Sequence, residues 1–279
     1  MIITVASGKG GTGKTTVAVS MAFSLGSQAQ ILDCDVEEPN GHLFLKPKME
    51  TTEKVWATVP EIDEDKCIFC QKCSDICRFK AIAMLGETCL VFPELCHSCG
   101  GCFEVCPENA INKGQRELGT LELGRSGEID FVHGRLRVGE AMAPPLINKV
   151  RSYVNKNKIA IIDAPPGTSC PVIAAMKEAD FVLMVSEPTP FGLHDLKLGV
   201  EAIRTLNIPF GLVINRSGIG NDDIWDYAKD EQIPVLMEIP FDRKIAEVYS
   251  RGGIVPEQMP EWKEPFIELY KKIQETVQK

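Results

Sequence analysis

A chain of 279 residues, 44% hydrophobic and 25% charged, has ordinary globular composition and is long enough for one large domain plus an insert, so its core needs no disulfide staples. A formal net charge of -9 and a pI near 5.1 argue against nonspecific binding to nucleic acid or anionic lipid. Met1 leads straight into an apolar run without a charged leader, and no apolar run approaches membrane-spanning length. The expectation is a cytoplasmic protein with neither nucleic acid nor membrane as a partner.

The first element is a short buried strand, Ile2 to Ala6, followed by a glycine-rich turn and a segment from Lys14 to Leu25 with helical periodicity. Between them, Gly8-Lys9-Gly10-Gly11-Thr12-Gly13-Lys14-Thr15 satisfies G-x-x-x-x-G-K-T, with Thr16 extending the candidate nucleotide-binding stretch. The glycines let backbone amides point inward as an anion nest, and the helix N-terminus adds its partial positive charge. Lys14 is placed to reach the β- and γ-phosphates of ATP, and the Thr15 hydroxyl to ligate Mg2+.

Further short apolar runs follow at Ile31-Leu32, Ile159 to Ile162, Phe181 to Val185, Phe210 to Ile214 and Val235 to Ile239, separated by helix-length segments. That alternation predicts an α/β fold with a doubly wound, mostly parallel sheet. Asp130 to Val138 reads as a hairpin linking an insert back to the main domain. Trp262 to Val277 puts Phe266, Leu269, Tyr270, Ile273 and Val277 on one helical stripe. Its polar face mixes Glu264, Glu268 and Glu275 with Lys271, Lys272 and Lys279, which favours a helix capping the sheet over a membrane anchor.

Eight of the eleven cysteines form two copies of C-x-x-C-x-x-C-x-x-x-C: Cys67, Cys70, Cys73 and Cys77, then Cys96, Cys99, Cys102 and Cys106. This spacing lets three thiolates of a run grip one 4Fe-4S cluster while the fourth reaches across to the other. Cys67, Cys70, Cys73 and Cys106 then hold one cluster, and Cys96, Cys99, Cys102 and Cys77 the second. Zinc is the main competitor, but structural zinc sites usually show two C-x-x-C pairs with a longer spacer. Disulfides would need an oxidising compartment. Cys34, Cys89 and Cys170 are left over, and such cysteines are most often small buried hydrophobes. The doubled run resembles the bacterial two-cluster ferredoxins over about residues 60 to 114, although the first run ends Cys77-Arg78 where that family usually has proline. The implied organisation is a discontinuous P-loop ATPase domain, 1–59 and 115–279, with an α+β ferredoxin-like domain inserted at 60–114.

The lysine just after the first glycine makes the phosphate loop similar to the deviant Walker A group. That group includes the MinD and ParA positioning ATPases, the Mrp-type cluster carriers and the nitrogenase iron protein. The resemblance implies that ATP is sandwiched in a homodimer, with Lys9 donating charge in trans to the partner's nucleotide. It also implies roles for three downstream segments. In Asp33-Cys34-Asp35-Val36-Glu37-Glu38-Pro39-Asn40, Asp35 orients the attacking water near magnesium. In Ile159-Ala160-Ile161-Ile162-Asp163-Ala164-Pro165-Pro166-Gly167, Asp163 is the metal-side carboxylate and the Gly167 amide senses the γ-phosphate. Asn215 reads adenine, and Pro240 lies on the loop covering the base.

Cys170 stands seven residues after Asp163, where the nitrogenase iron protein carries a ligand to its bridging cluster; the other reading is a buried cysteine behind the switch. The cysteine insert falls between the two switches. A nucleotide-controlled redox protein with an electron-transfer partner is therefore the first functional reading. A Mrp-like carrier delivering an iron-sulfur or metal cofactor to an acceptor protein is the second, although no C-x-x-C remains once the eight ligands are assigned. Acidic charge and the lack of a basic tail count against a positioning ATPase. Amide ligation like that of cobyrinate amidating enzymes would not need two clusters.

Overall fold

A computed structural model describes residues 1–278. In chain order the first elements are β1 (Ile2–Ala6), α1 (Lys14–Leu25), β2 (Ala29–Asp33), α2 (Gly41–Leu45) and the long strand β3 (Lys48–Ile62). An off-sheet lobe holds α3 (Lys72–Ile76), β4 (Ile82–Leu85), β5 (Thr88–Val91) and α4 (Gly101–Val105). The chain returns through β6 (Ile111–Ser126), β7 (Ile129–Leu136), α5 (Ala143–Arg151), β8 (Ile159–Asp163) and α6 (Cys170–Met176). It ends with β9 (Phe181–Ser186), α7 (Pro190–Leu206), β10 (Phe210–Ser217), α8 (Asp223–Asp230), β11 (Val235–Pro240), α9 (Arg243–Ser250), α10 (Val255–Gln258) and α11 (Lys263–Val277).

Nine strands make one sheet in the order β11-β10-β9-β1-β8-β2-β7-β6-β3. The seven from β11 to β7 are parallel; β6 and β3 add antiparallel at one edge. Successive residues of the central strands face opposite sides and both sides are covered, so these strands read as unbroken apolar runs. Ile31, Ile161, Phe181 and Val213 face a layer with α1 and α11, whereas Leu32, Ile162, Val182 and Leu212 face α5, α6 and α7. On α11, Phe266, Leu269 and Ile273 are buried against the sheet and α1, so this helix caps the core. No helix among the described residues is long and apolar enough to cross a membrane.

The segment Asp130–Val138 departs from its expected role. Asp130 to Leu136 belong to a single strand, β7, lying inside the main sheet parallel to β2 and antiparallel to β6, and Arg137 and Val138 follow its end. The hairpin it belongs to is β6–β7, turning at Gly127, whose φ of 57° suits the tight turn. The sequence hid this because His133 and Gly134 interrupt the apolar pattern. Yet His133 is fully buried, and Gly134 faces Val36, Leu146 and Val150 with no room for a Cβ.

The sheet also reaches into the expected insert. Val59 to Ile62 pair with Ile111 to Gly114, so β3 and β6 form two rigid arms and the lobe is residues 63–110. Within it the twofold sequence repeat is a backbone repeat. Positive φ values recur twenty-nine residues apart, at Phe69 and Ser98 (54° and 53°), Gln71 and Gly100 (65° and 80°), and Lys80 and Asn109 (55° and 50°).

Phe181 is fully buried on the central strand β9. Phe181→Ala should lower unfolding free energy by about 3–5 kcal/mol. The check is the denaturant midpoint, which stays put if the two-layer packing is wrong.

Candidate nucleotide site and cysteine lobe

The phosphate loop lies between β1 and α1 at the carboxyl edge of the sheet, where parallel α/β folds place ligands. Gly11 and Gly13 adopt φ of 78° and 98°, which turn the loop back over the start of α1. A Cβ on Gly13 would lie 2.3 Å from Asn215 Nδ2, so glycine is required for this approach. Next to the loop is a cavity of about 360 Å³, lined by Gly10, Gly11, Gly13, Lys14, Thr15, Thr16, Asp35, Asn215 and Pro240. Nine of the expected nucleotide-site residues therefore converge on one space.

Asp163 completes the group from below. It is 1% exposed at the end of β8, and its Oδ2 accepts a 2.6 Å hydrogen bond from Thr15 Oγ1 while its Oδ1 has no partner. A buried orphan carboxylate oxygen beside a threonine hydroxyl and Asp35 is a donor set suited to a hard divalent cation such as Mg2+.

Strand register explains how the acids meet. Asp33 and Asp163 are neighbours across the β2–β8 pair, and Cys34 N bonds to Asp163 O at 2.9 Å. Asp33 accepts from the amides of Asp35 (3.1 Å) and Gly41 (2.8 Å), which anchors the first switch. Burial and the charge of Asp163 push Asp33 well above the usual carboxylate range. The same two causes raise Asp35 to about 7. Burial raises Asp163 to about 6, against the Thr15 hydrogen bond and Lys14.

Other expected residues sit differently. Gly8 packs against the backbone of Asp195, and Thr12 is buried, with its carbonyl accepting from Asn215 Nδ2 at 2.7 Å. The Gly167 amide donates to Ser7 O at 3.0 Å, so it is engaged within the chain rather than aimed into the cavity. Lys9 also turns away from the cavity, and its Nζ lies 2.5 Å from Glu187 Oε1. Glu187 binds Arg216 as well, at 2.7 Å, and although burial pulls its carboxyl up, Lys9 and Arg216 hold it below the usual range. Sequence reasoning missed Glu187 and Arg216; the available signal was an acid at a strand's carboxyl end and a basic residue directly after Asn215. It also missed the far wall of the cavity, including Ile245, Tyr249 and Phe266, because α9 and α11 reach it only through tertiary packing.

In the lobe, each crossed cysteine set lines its own space. Cys67, Cys70, Cys73 and Cys106 border a cavity of about 20 Å³. Cys77, Cys96, Cys99 and Cys102 border another of about 60 Å³. Backbone amides of Ala81, Ser98 and Ala110 donate to the sulfurs of Cys77, Cys96 and Cys106 at 3.2, 3.4 and 3.2 Å. Among the described residues no three His, Cys, Asp or Glu side chains converge on a point that could hold a single metal ion. Burial raises Cys73, and pushes Cys102 up to about 11, so ligation there must displace protons.

The remaining cysteines divide. Cys34 is fully buried; Cys89 stands beside the Cys73 thiol, and burial and that neighbour push it up to about 12. Cys170 is exposed at the start of α6, which corrects the expectation of a cysteine buried behind the second switch.

The clustered acids make stability pH-dependent. A carboxyl whose pKa is raised on folding binds a proton that the unfolded chain has released, so stability falls as pH rises from about 4 to about 7. Without nucleotide or magnesium, Asp35→Asn should melt above the parent at about pH 8, by about 2–4 °C for each kcal/mol recovered, and the gap should close towards about pH 4. Scanning calorimetry across that range checks it.

Residues 3–255 match the CobQ/CobB/MinD/ParA nucleotide binding domain. An uncharacterized protein of Methanocaldococcus jannaschii is 32% identical over 282 residues, covering 99% of this chain and 98% of its own length. The iron-sulfur cluster carrier protein of the same organism is 25% identical over 302 residues, covering 99% of this chain and 84% of its own. Among solved structures, the septum site-determining protein MinD of Pyrococcus horikoshii complexed with Mg-ADP aligns with a TM-score of 0.61 at 22% identity. That alignment covers 98% of this chain and 95% of the MinD chain. The phosphate loop, sheet order and matched span together place the chain in the CobQ/CobB/MinD/ParA nucleotide-binding family.

Proposed function

We propose that this protein is a Mg2+-dependent ATPase that couples the nucleotide state of a homodimer to electron transfer through two 4Fe-4S clusters held by an inserted ferredoxin-like lobe. The observation that carries this reading is the separation of the eight cysteines into two crossed sets of four, each bordering its own cavity. Thiolates of a cubane bind different irons, so they surround a space instead of converging on a point. Cys67, Cys70, Cys73 and Cys106 would hold one cluster, and Cys77, Cys96, Cys99 and Cys102 the other. The clusters would supply one-electron storage.

On the nucleotide side, Lys14 and the loop amides would neutralise the phosphates, and Thr15 with Asp163 and Asp35 would hold Mg2+. Asp35, raised to about 7 even with Lys14 nearby, would become a carboxylate beside a divalent cation and could orient the attacking water. Lys9 must leave Glu187 to act across a dimer. The lobe hangs on β3 and β6, between Asp35 and Asp163, so movement of either switch is transmitted through strands to the cysteines. A redox protein is the partner this arrangement serves.

The second reading, a cofactor carrier serving an acceptor protein, draws on the likeness to the iron-sulfur cluster carrier protein of M. jannaschii. Anaerobic reconstitution should give about eight irons per chain; two zincs and no chromophore would sink both readings. Incubating labelled holoprotein with ATP and an acceptor separates them, since iron in the acceptor means a carrier and a nucleotide-dependent reduction level means electron transfer. Lys14→Ala should lose ATP hydrolysis and keep its iron, and ATPase activity retained in that variant overturns the phosphate-site assignment.

A further inference from the structure

Of the thirty Lys and Arg residues, Lys14 and Arg116 alone are buried among the described residues. Lys14 belongs to the phosphate loop. Arg116 lies on β6 where the sheet meets the lobe, with its side chain 6% exposed. A buried guanidinium carries a desolvation cost that persists only against close partners. Its Nη1 bonds Glu140 Oε2, and its Nη2 donates to the carbonyl of Cys96 at 3.2 Å. Glu140 has no side-chain exposure, and its Oε1 accepts from Met142 N at 2.9 Å, which fixes the pair to the start of α5.

The cation therefore stands between a carboxylate on one side and the first cysteine of the second run on the other. Among the described residues the first run has no buried cation beside it: Lys72, which borders its cavity, is exposed. The repeat partner of Cys96 is Cys67, whose neighbouring ion pair, Lys66 with Asp63, lies at the surface with Lys66 60% exposed. The neighbour of Cys73 is the thiol of Cys89. Two sites that the sequence repeat makes alike thus differ by one buried ion pair, whose guanidinium is the member that touches the Cys96 backbone.

A cluster gains negative charge on reduction, and nearby charge and hydrogen bonds set its potential. We propose that Arg116 is a positioning residue that raises the reduction potential of the cluster at Cys77, Cys96, Cys99 and Cys102 above that of its repeat. This rests on the two-cluster reading of the lobe. Because Glu140 partly offsets the guanidinium, the two side chains act with opposite sign, a signature that mere structural support would not produce.

The test is an anaerobic redox titration of the reconstituted full chain, followed by electron paramagnetic resonance, with iron counted in the same samples. Arg116→Gln should lower one of the two potentials by about tenfold in the reduction equilibrium, which is 59 mV for one electron. Glu140→Gln should raise that same potential and leave the other where it was. If both variants move it in the same direction, or neither moves it, the proposal fails while the clusters stand. A wild-type chain without iron fails the cluster reading itself and this proposal with it. Should Arg116→Gln not fold, Glu140→Gln alone decides, since it keeps the cation: no rise overturns the proposal.

Discussion

Three carboxylates crowded at one end of a parallel sheet are the constraint around which this molecule is built. Asp33 and Asp163 are neighbours by register of β2 and β8, and Asp35 joins them one turn of chain later. Such a cluster cannot be fully charged in a buried corner, so each acid is pushed upward, and the surrounding groups read as compensation. Thr15 donates to Asp163, the amides of Gly41 and Asp35 donate to Asp33, and Lys14 supplies the nearby cation. A corner that repels its own charge is a corner that favours a bound divalent ion and gains stability from it.

The position of the lobe follows from the same corner. The chain leaves the first switch through α2 and β3, makes the lobe, and returns through β6, β7 and α5 to reach Asp163. Because β3 and β6 are paired along nearly their whole length, the lobe is attached by a sheet edge and not by a flexible linker. Arg116 and Glu140 add a buried polar tie between that edge and the start of α5, which packs against α6 just beyond the second switch. The cysteine lobe and the segment before α6 are thus joined by packed elements.

Much of this was legible from residues alone. The glycine pattern with Lys14 and Thr15, the strand at Ile2 to Ala6 and the helix that follows were all readable, because glycine and short apolar runs act through local backbone physics. The crossed division of the cysteines was readable from spacing. Strand β7 was not, since His133 and Gly134 look polar and weak in one dimension but are buried by β2, β6 and α5. The exposure of Cys170 and the engagement of Gly167 with Ser7 escaped for a related reason: hydrogen-bond partners distant in sequence decide them.

By itself, the sequence determined the α/β alternation and the phosphate loop, each of which depends on neighbours a few residues away. Only the tertiary structure decided that Lys9 rests on Glu187, that Asn215 holds Thr12, that the acids meet in one buried corner, and that Arg116 is buried beside Cys96. Charge interactions of that kind depend on distance and burial, and both are set by how strands far apart in the chain come to lie side by side.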